Sequence, residues 1–374
     1  MKEIGIALIG TGFMGKCHAL AWNSVTPVFG GKIKPRLEIL CDVDEAAIRK
    51  LGPEYGFART STDWRQVVAD PAIDIVSITT PNGLHREMAI AALAAGKHVW
   101  CEKPMALDLA DATEMADAAA TASGKSLLGY NYIRNPALQQ AKKIISDGTI
   151  GDIIHFRGQV DEDYMADGDL PWSWRARIAD GGLGVLGDLT CHLVSLAHYF
   201  VGHIKELSAD VETVYKTRPL PDMTGEQGVV ENEDIAHALV RFDNGVSGTM
   251  CSSRTAWGRK NLIRLEIHGT CGMLTFDQER LNEINLFVNE GPKEIQGFRQ
   301  VLSGPPHPQY SNFVPAPGHQ LGFNDLKVIE AAHFLECIEK NDQPCVDFAE
   351  GLLIEKVIHG FIRSAQERRW VSVS

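Results

Sequence analysis

Two groups of side chains in this sequence have the types and spacing to move a proton and steady a developing charge. The first is Lys103, in Gly96-Lys97-His98-Val99-Trp100-Cys101-Glu102-Lys103-Pro104. A short apolar strand that stops at Glu-Lys-Pro carries an amine to the carboxyl edge of a sheet, where open α/β sheets bind ligands. Pro104 biases Lys103 away from helix, and a cis bond between them is permitted. Alone, the stretch fits a solvated surface lysine just as well, since most lysines are exposed. Lys97 and His98, at the strand start, are expected to be solvated. The second group is Asp188 and His192, four apart and so on one face of a helix. A carboxylate beside an imidazole favours the charged ring and fixes its orientation, which suits taking a proton from an alcohol. A structural His–Asp pair or half of a metal site has the same spacing. His198 lies six residues on and projects elsewhere, so no metal site is expected.

The elements that must position these groups begin with a cofactor signature. Ile4 to Ile9 reads as a strand, Gly10-Thr11-Gly12-Phe13-Met14-Gly15 follows at once, and Cys17 to Asn23 can form a helix. This is G-x-G-x-x-G in the strand-to-helix context that gives it meaning. Gly10 permits the tight turn, Gly12 lets a pyrophosphate approach the backbone, and Gly15 lets helix pack on strand. The helix start offers amides to the anion. Leu37 to Cys41 reads as the second strand, and Asp42 ends it. A carboxylate there accepts from a ribose hydroxyl and repels a 2′-phosphate, favouring NAD over NADP. Asp42 as a helix N-cap is the competing reading. Ser24 to Pro35 reads as an inserted loop. Alternating strands and helices continue to Tyr130, which implies a doubly wound parallel sheet over residues 1–130. Thr80, Pro81 and Asn82 end a strand on the edge of the glycine loop and are placed at the cofactor. His85 is either there too or an ordinary first-turn polar residue.

From Asn131 the pattern changes. A helix from Pro136 to Ser146 and a strand from Ile153 to Val160 lead into a loop rich in acids and aromatics, then an apolar helix from Leu183 to Phe200 that carries Asp188 and His192. Strands without intervening helices follow: Leu207 to Val214, Ile235 to Phe242, Val246 to Cys251, Ile263 to His268, Met273 to Phe276 and Ile284 to Val288. Asp243-Asn244-Gly245 marks a hairpin. The acidic stretch Asp222 to Asp234 reads as a loop, and Gly304 to Gly322 as a long surface segment. Residues 131–374 thus read as an α+β domain with a large open antiparallel sheet. Its last helices, Phe323 to Lys340 and Ala349 to Glu367, are able to pack back on the first domain. An open sheet face calls for a cover, so a homo-oligomer, dimer or tetramer, through this sheet is expected.

Composition sets the outer limits. The 374 residues carry a net charge of −12, which argues against a nucleic-acid partner, since binding needs a basic footprint. No apolar run is long enough to span a membrane, and the opening apolar run is too short for a signal peptide. The eight cysteines form no C-x-x-C pair, which points to reduced thiols and a cytoplasmic location.

Taken in order, Gly10-x-Gly12-x-x-Gly15, Thr80-Pro81-Asn82 with His85, Glu102-Lys103-Pro104 and Gly187-Asp188-x-x-x-His192 resemble the Gfo/Idh/MocA family of NAD(P)-dependent sugar and polyol oxidoreductases. The resemblance covers essentially the whole chain. It implies Lys103, Asp188 and His192 as the catalytic set. On the cofactor side it implies Phe13, Met14, Asp42, Glu102, Lys103, Trp174 and Arg175 beside the glycines and the Thr80 turn. On the substrate side it implies Lys103, Asp188 and His192; Tyr130 is placed beside them, and Arg157, Asp163, Tyr164 and Arg177 are read as a polar lining able to select hydroxyl patterns. Gly258-Arg259-Lys260-Asn261, Phe276 to Asn282 and Pro317-Gly318-His319 resemble the inositol and L-glucose or levoglucosan dehydrogenase branch, where a histidine such as His319 reaches a neighbouring subunit's site. The activity implied is oxidation of a secondary hydroxyl on a cyclic sugar or inositol. The competing readings are an NADP-dependent aldose or imine reductase and a non-catalytic sensor of the same fold.

Overall fold

The computed structural model describes residues 2–221 and 225–374. The chain forms two compact units: Met1–Arg134 with Gly322–Leu352, and Asn135–Leu321 with Leu353–Ser374. The first stretch of the first unit runs four residues past the expected boundary at residue 130. Residues 131–134 and the helix Phe323–Lys340 belong with the first unit. The next helix, Phe348–Glu367, spans the point where the chain returns to the second.

In the first unit β1 (Lys2–Ile9), α1 (Phe13–Phe29), β2 (Ile33–Cys41), α2 (Glu45–Tyr55), β3 (Arg59–Ser61), α3 (Trp64–Ala69), β4 (Ile75–Ile78), α4 (His85–Ala94), β5 (His98–Cys101), α5 (Leu109–Thr121) and β6 (Ser126–Leu128) follow one another. The sheet order is β3-β2-β1-β4-β5-β6, with every pair parallel. Parallel strands are covered on both faces and so read as unbroken apolar runs; all of β4 and the last six residues of β1 are buried. Leu8, Ala19, Leu40, Ile48 and Phe57 form one core cluster, in which each large side chain contributes about 1.5–3 kcal/mol. Strand order reverses between β1 and β4, where such sheets open a ligand crevice. The loop expected over Ser24 to Pro35 is not one. Helix α1 continues to Phe29 with Pro27 in its last turns, Gly30 and Gly31 end it at positive φ, and β2 has already begun at Ile33. Buried Val25 carries the apolar face of α1 through that stretch.

The second unit holds α6 (Pro136–Ser146), β7 (Ile153–Asp161), α7 (Ile178–Gly181), α8 (Cys191–Phe200), β8 (Ile204–Glu212), β9 (Thr217–Pro219), β10 (Gln227–Val229), β11 (Ile235–Phe242), β12 (Ser247–Ser253), β13 (Leu262–Gly269), β14 (Gly272–Asp277), β15 (Glu283–Val288), β16 (Arg299–Leu302) and α9 (Tyr310–Phe313). Then α10 (Phe323–Lys340) joins the first unit, and α11 (Phe348–Glu367) and β17 (Val371–Ser372) complete the chain. The large sheet runs β16-β15-β14-β13-β7-β12-β11-β8-β17. It is antiparallel except where β12 meets β7. Strand β11 alternates: Ala236, Ala238, Val240 and Phe242 are buried, while His237, Leu239 and Arg241 face outwards. Helix α8 covers the buried face, and Gly158 makes room for it. A Cβ there would lie 2.6 Å from Leu193 Cδ1. Of the acidic stretch Asp222 to Asp234, Asp222, Met223 and Thr224 lie outside the described residues. Gln227–Val229 is not loop but β10, paired antiparallel with β9. Gly228 lets that hairpin lie against Trp172, whose indole N–H donates to Val229 O at 2.8 Å.

Candidate active site

The first unit gathers its groups at the carboxyl edge of the parallel sheet. Gly10 turns at φ 102°, and a Cβ there would lie 2.7 Å from Thr79 O; one on Gly15 would lie 2.2 Å from Gly10 O. Both glycines are demanded by close packing. Gly12 differs: nothing lies within 4 Å of where its Cβ would be, and no side chain caps the start of α1. An open backbone at an uncapped helix start is a cradle for a pyrophosphate, so the residues fit a dinucleotide. Phe13 is 73% exposed and stacks on Phe323 at 6.0 Å, while Met14 is half-buried. Asp42 is not a helix cap. Asp44 fills that role, accepting from Ala47 N at 3.0 Å. Asp42 Oδ2 instead accepts from Thr11 N at 2.8 Å and Thr11 Oγ1 at 2.7 Å, tying the glycine loop to the end of β2. Thr80 and Asn82 are half-buried and Pro81 is exposed after β4.

Lys103 is partly buried just past β5, and its bond to Pro104 is cis. The two neighbours assigned to the cofactor lie beneath this edge. Glu102 is buried, and its Oε1 accepts from Lys327 Nζ at 2.5 Å and meets His18 Nε2 at 2.9 Å. Lys327 Nζ also reaches Glu330 Oε2 at 2.9 Å. Burial pulls the Glu102 carboxyl up, but Lys327 and His18 together hold it well below the ordinary range. Burial pushes His18 down to about 4 and Glu330 up to about 6. His85 is fully buried, with Nδ1 3.0 Å from Pro104 O and Nε2 3.0 Å from Thr80 O. Burial lowers its pKa. The side chains of Glu102 and His85 are thus both spent on protein partners. They brace the strand end and the Thr80 turn from behind. Lys97 and His98 are half-buried rather than fully solvated: the Lys97 ammonium donates to Asp70 O and Ile73 O at 2.9 and 2.7 Å, and His98 Nδ1 accepts from Lys125 N at 2.9 Å. Tyr130 is buried after β6.

The second unit builds its part on the helix that carries Asp188 and His192. That helix opens with a wide turn, Leu186–Thr190, in which Cys191 N bonds back to Leu186 O, five residues away. Asp188 is half-buried and His192 is buried. Tyr164 Oη donates to Asp188 Oδ2 at 2.5 Å, and burial, then the Asp188 charge, raises the phenol's pKa far above normal. Asp163 holds Lys260 Nζ at 2.6 Å and Gly258 N at 3.1 Å. Trp174 and Arg175 lie in a short helical turn, the guanidinium 4.6 Å from the indole ring. Arg157 departs from the expected lining. It points to the opposite face of the sheet from α8, 58% exposed and 3.4 Å from Glu266. The alternation along β7 puts Phe156 and Gly158 inward and so Arg157 outward. Arg177 is exposed and paired with Asp180, and His319 is exposed with its Nδ1 near Pro317 O.

Several residues that matter here carry no motif. Asn232 Nδ2 donates to Arg175 O at 2.7 Å, Glu233 Oε1 accepts from Leu186 N at 2.9 Å, and Asp234 pairs with Arg254 at 2.7 Å. All four are buried, and together they hold the loop that leads into the Asp188 turn. Their one sequence signal is polar density, Glu231-Asn232-Glu233-Asp234, immediately before a strand. For Lys327 and Glu330 it is a lysine and an acid set within the apolar run Leu326 to Ala332.

A parallel sheet with an open glycine cradle, joined in sequence to a second unit bearing an Asp–His helix, defines a dinucleotide-dependent oxidoreductase. Two family models match: one described as an oxidoreductase family with an NAD-binding Rossmann fold over residues 4–130, and the GFO/IDH/MocA C-terminal domain over 138–275. The chain is 35% identical to the levoglucosan dehydrogenase of Pseudarthrobacter phenanthrenivorans, covering 100% of this chain and 99% of that one. It is 27% identical to the scyllo-inositol 2-dehydrogenase (NAD(+)) of Bacillus subtilis, covering 92% and 89%. A solved structure of levoglucosan dehydrogenase in complex with NADH and L-sorbose superposes with a TM-score of 0.97 at 35% identity, covering 100% of both chains. The chain belongs to the Gfo/Idh/MocA family of oxidoreductases.

Proposed function

We propose that this protein is an NAD-dependent dehydrogenase that oxidises a secondary hydroxyl of a cyclic sugar or inositol. The observation that carries the reading is the open Gly12 cradle, tied through Thr11 to the Asp42 carboxylate. An acid at the end of β2 favours NAD over NADP. The likeness to levoglucosan and inositol dehydrogenases supports the substrate class. When bound, NAD supplies the acceptor for the hydride leaving the carbinol carbon. Gly10, Gly12, Phe13, Met14 and Gly15, Asp42 and the Thr80 turn hold it, with Trp174 and Arg175 assigned to its nicotinamide end. The ammonium of Lys103 donates to the reacting oxygen. A donor aimed at developing negative charge is worth about 2.7–4 kcal/mol. His192 accepts the hydroxyl proton as the C–H bond breaks, and the C–O bond becomes a carbonyl. Asp188 orients and charges the imidazole, while Tyr164 restrains Asp188. Asp163 and Arg177 remain candidates for selecting hydroxyl pattern, and His319 for a neighbouring subunit's site.

The outward face of the large sheet, with exposed Leu239 among polar neighbours, supports association of copies as a homo-oligomer through it. Among the described residues no helix is long and apolar enough to cross a membrane. Eight free cysteines, five of them buried, support a reducing, cytoplasmic setting. The test of the activity is NADH formation with NAD across inositols, aldoses, L-sugars and anhydrosugars. Turnover on at least one cyclic substrate is expected, and silence on all of them would favour the sensor.

A further inference from the structure

The helix that bears Asp188 and His192 is not a regular α-helix where it matters. Its first turn, Leu186–Thr190, is wide, with the Cys191 N–H bonded five residues back to Leu186 O. Single wide turns of this kind are rare inside α-helices and are frequently found at functional sites. Here the turn is held at both ends by buried polar groups from other elements. At its start Glu233 takes two amides: its backbone O accepts from Val185 N, and its Oε1 from Leu186 N, both at 2.9 Å. At its end the Thr190 hydroxyl lies 3.2 Å from Val185 O and 2.6 Å from Ser252 Oγ on β12. Thr190 and Ser252 are 1% and 2% exposed, so no bulk water replaces either partner. With the Thr190 hydroxyl donating to Val185 O, the Ser252 hydroxyl donates to Thr190. The chain of two bonds then fastens the wide turn to the central sheet.

We propose that the Thr190–Ser252 hydroxyl pair is a positioning device for the reaction: it locks the wide turn and so sets the rotation of Asp188 relative to His192. If the turn relaxed to a regular α-helix, the azimuth between these two residues would change while the rest of the helix stayed in place. Thr190 touches neither substrate nor cofactor in this account. It acts through Asp188 and His192, and the inference rests on the roles given to them above.

Thr190→Val keeps the shape and removes the hydroxyl. Misplacement by about 1 Å far from the chemistry can cost on the order of 100-fold, and a kcat loss approaching that is expected, with KM for NAD unchanged. Thr190→Ser keeps the hydroxyl and should recover most of the loss. A second readout needs no turnover: the NMR titration of the His192 ring in the full-length protein. Its midpoint should fall in Thr190→Val as Asp188 ceases to favour the charged ring, and return in Thr190→Ser. Should Thr190→Val fail to fold, Ser252→Ala removes the pair from the strand side and should show the same kcat-only loss and the same fall in midpoint. Wild-type kcat and an unmoved midpoint in Thr190→Val would overturn the proposal, as would a Thr190→Ser enzyme as impaired as the valine variant. If the wild type turned over nothing while the His192 midpoint still moved, the dehydrogenase reading would fail and the positioning device would stand.

Discussion

Lys327→Met removes the ammonium that Glu102 and Glu330 share and replaces it with an apolar side chain. In the wild type Lys327 contributes +1, Glu102 and Glu330 −1 each, and His18, pushed down to about 4, is neutral at pH 7. These three side chains therefore carry a net charge of −1, with the Arg134 guanidinium acting on Glu330 from nearby. The substitution makes that charge −2 in a place where Lys327 and Glu330 are 0% and 1% exposed. Breaking a buried pair by removing one partner costs about 3–5 kcal/mol, and that penalty is expected at pH 8. It should shrink on acidification. Without the ammonium, burial should raise both carboxyls above their unfolded values, so their support for the fold would be complete below the unfolded value of about 4.3 and lost as pH rises. In the wild type Glu102 runs the other way: its native pKa is depressed, and its support is present above that unfolded value and lost as pH falls. The two trends converge at low pH. Amide hydrogen exchange in β5 and α10 reads the local opening free energy, and comparing pH 8 with pH 5.5 supplies the slope. A deficit below about 1 kcal/mol at pH 8, or one equal at both pH values, would refute the assignment of Lys327 as the counter-charge.

Gly12→Ala should leave stability within about 0.5 kcal/mol of wild type, since open surface changes have little effect, yet abolish NAD binding measured by calorimetry. Gly15→Ala, whose Cβ would lie 2.2 Å from Gly10 O, should lower stability first; equal behaviour of the two variants would contradict the cradle. Asp42→Asn keeps an acceptor for Thr11 but loses the charge that repels a 2′-phosphate. Its preference for NAD over NADP should narrow by about tenfold, or roughly 1.4 kcal/mol, and an unchanged ratio of affinities would remove Asp42 from cofactor choice.

The first unit was readable from the amino-acid sequence because its signals are local. Apolar runs of strand length alternate with helices, and each glycine of the loop answers to a separate close approach. The Asp188–His192 spacing and the Asp243-Asn244-Gly245 hairpin were legible for the same reason. What escaped depends on pairings distant in the chain. Glu102 and Lys327 are 225 residues apart, so nothing near Glu102 shows that it looks inward rather than at a ligand. His85 has the position of a first-turn polar residue, yet both ring nitrogens face carbonyls from the strand ends. Arg157 was misplaced although β7 alternates, because a choice of face needs to know where α8 packs. The short strands β9, β10 and β16 are three or four residues long, too brief for a period to show. The wide turn at Leu186–Thr190 leaves no pattern at all, since its cause is the hydroxyl of Ser252 and the carboxylate of Glu233 arriving from elsewhere.

The central claim is that Lys103 serves the chemistry rather than the binding of NAD. It is tested most directly by measuring NADH formation and NAD affinity side by side for the wild type and Lys103→Ala, on the best cyclic sugar or inositol found. A loss of turnover of at least about 100-fold is expected, the scale of removing one donor from a developing oxyanion, with NAD affinity retained. Wild-type turnover in Lys103→Ala would contradict it.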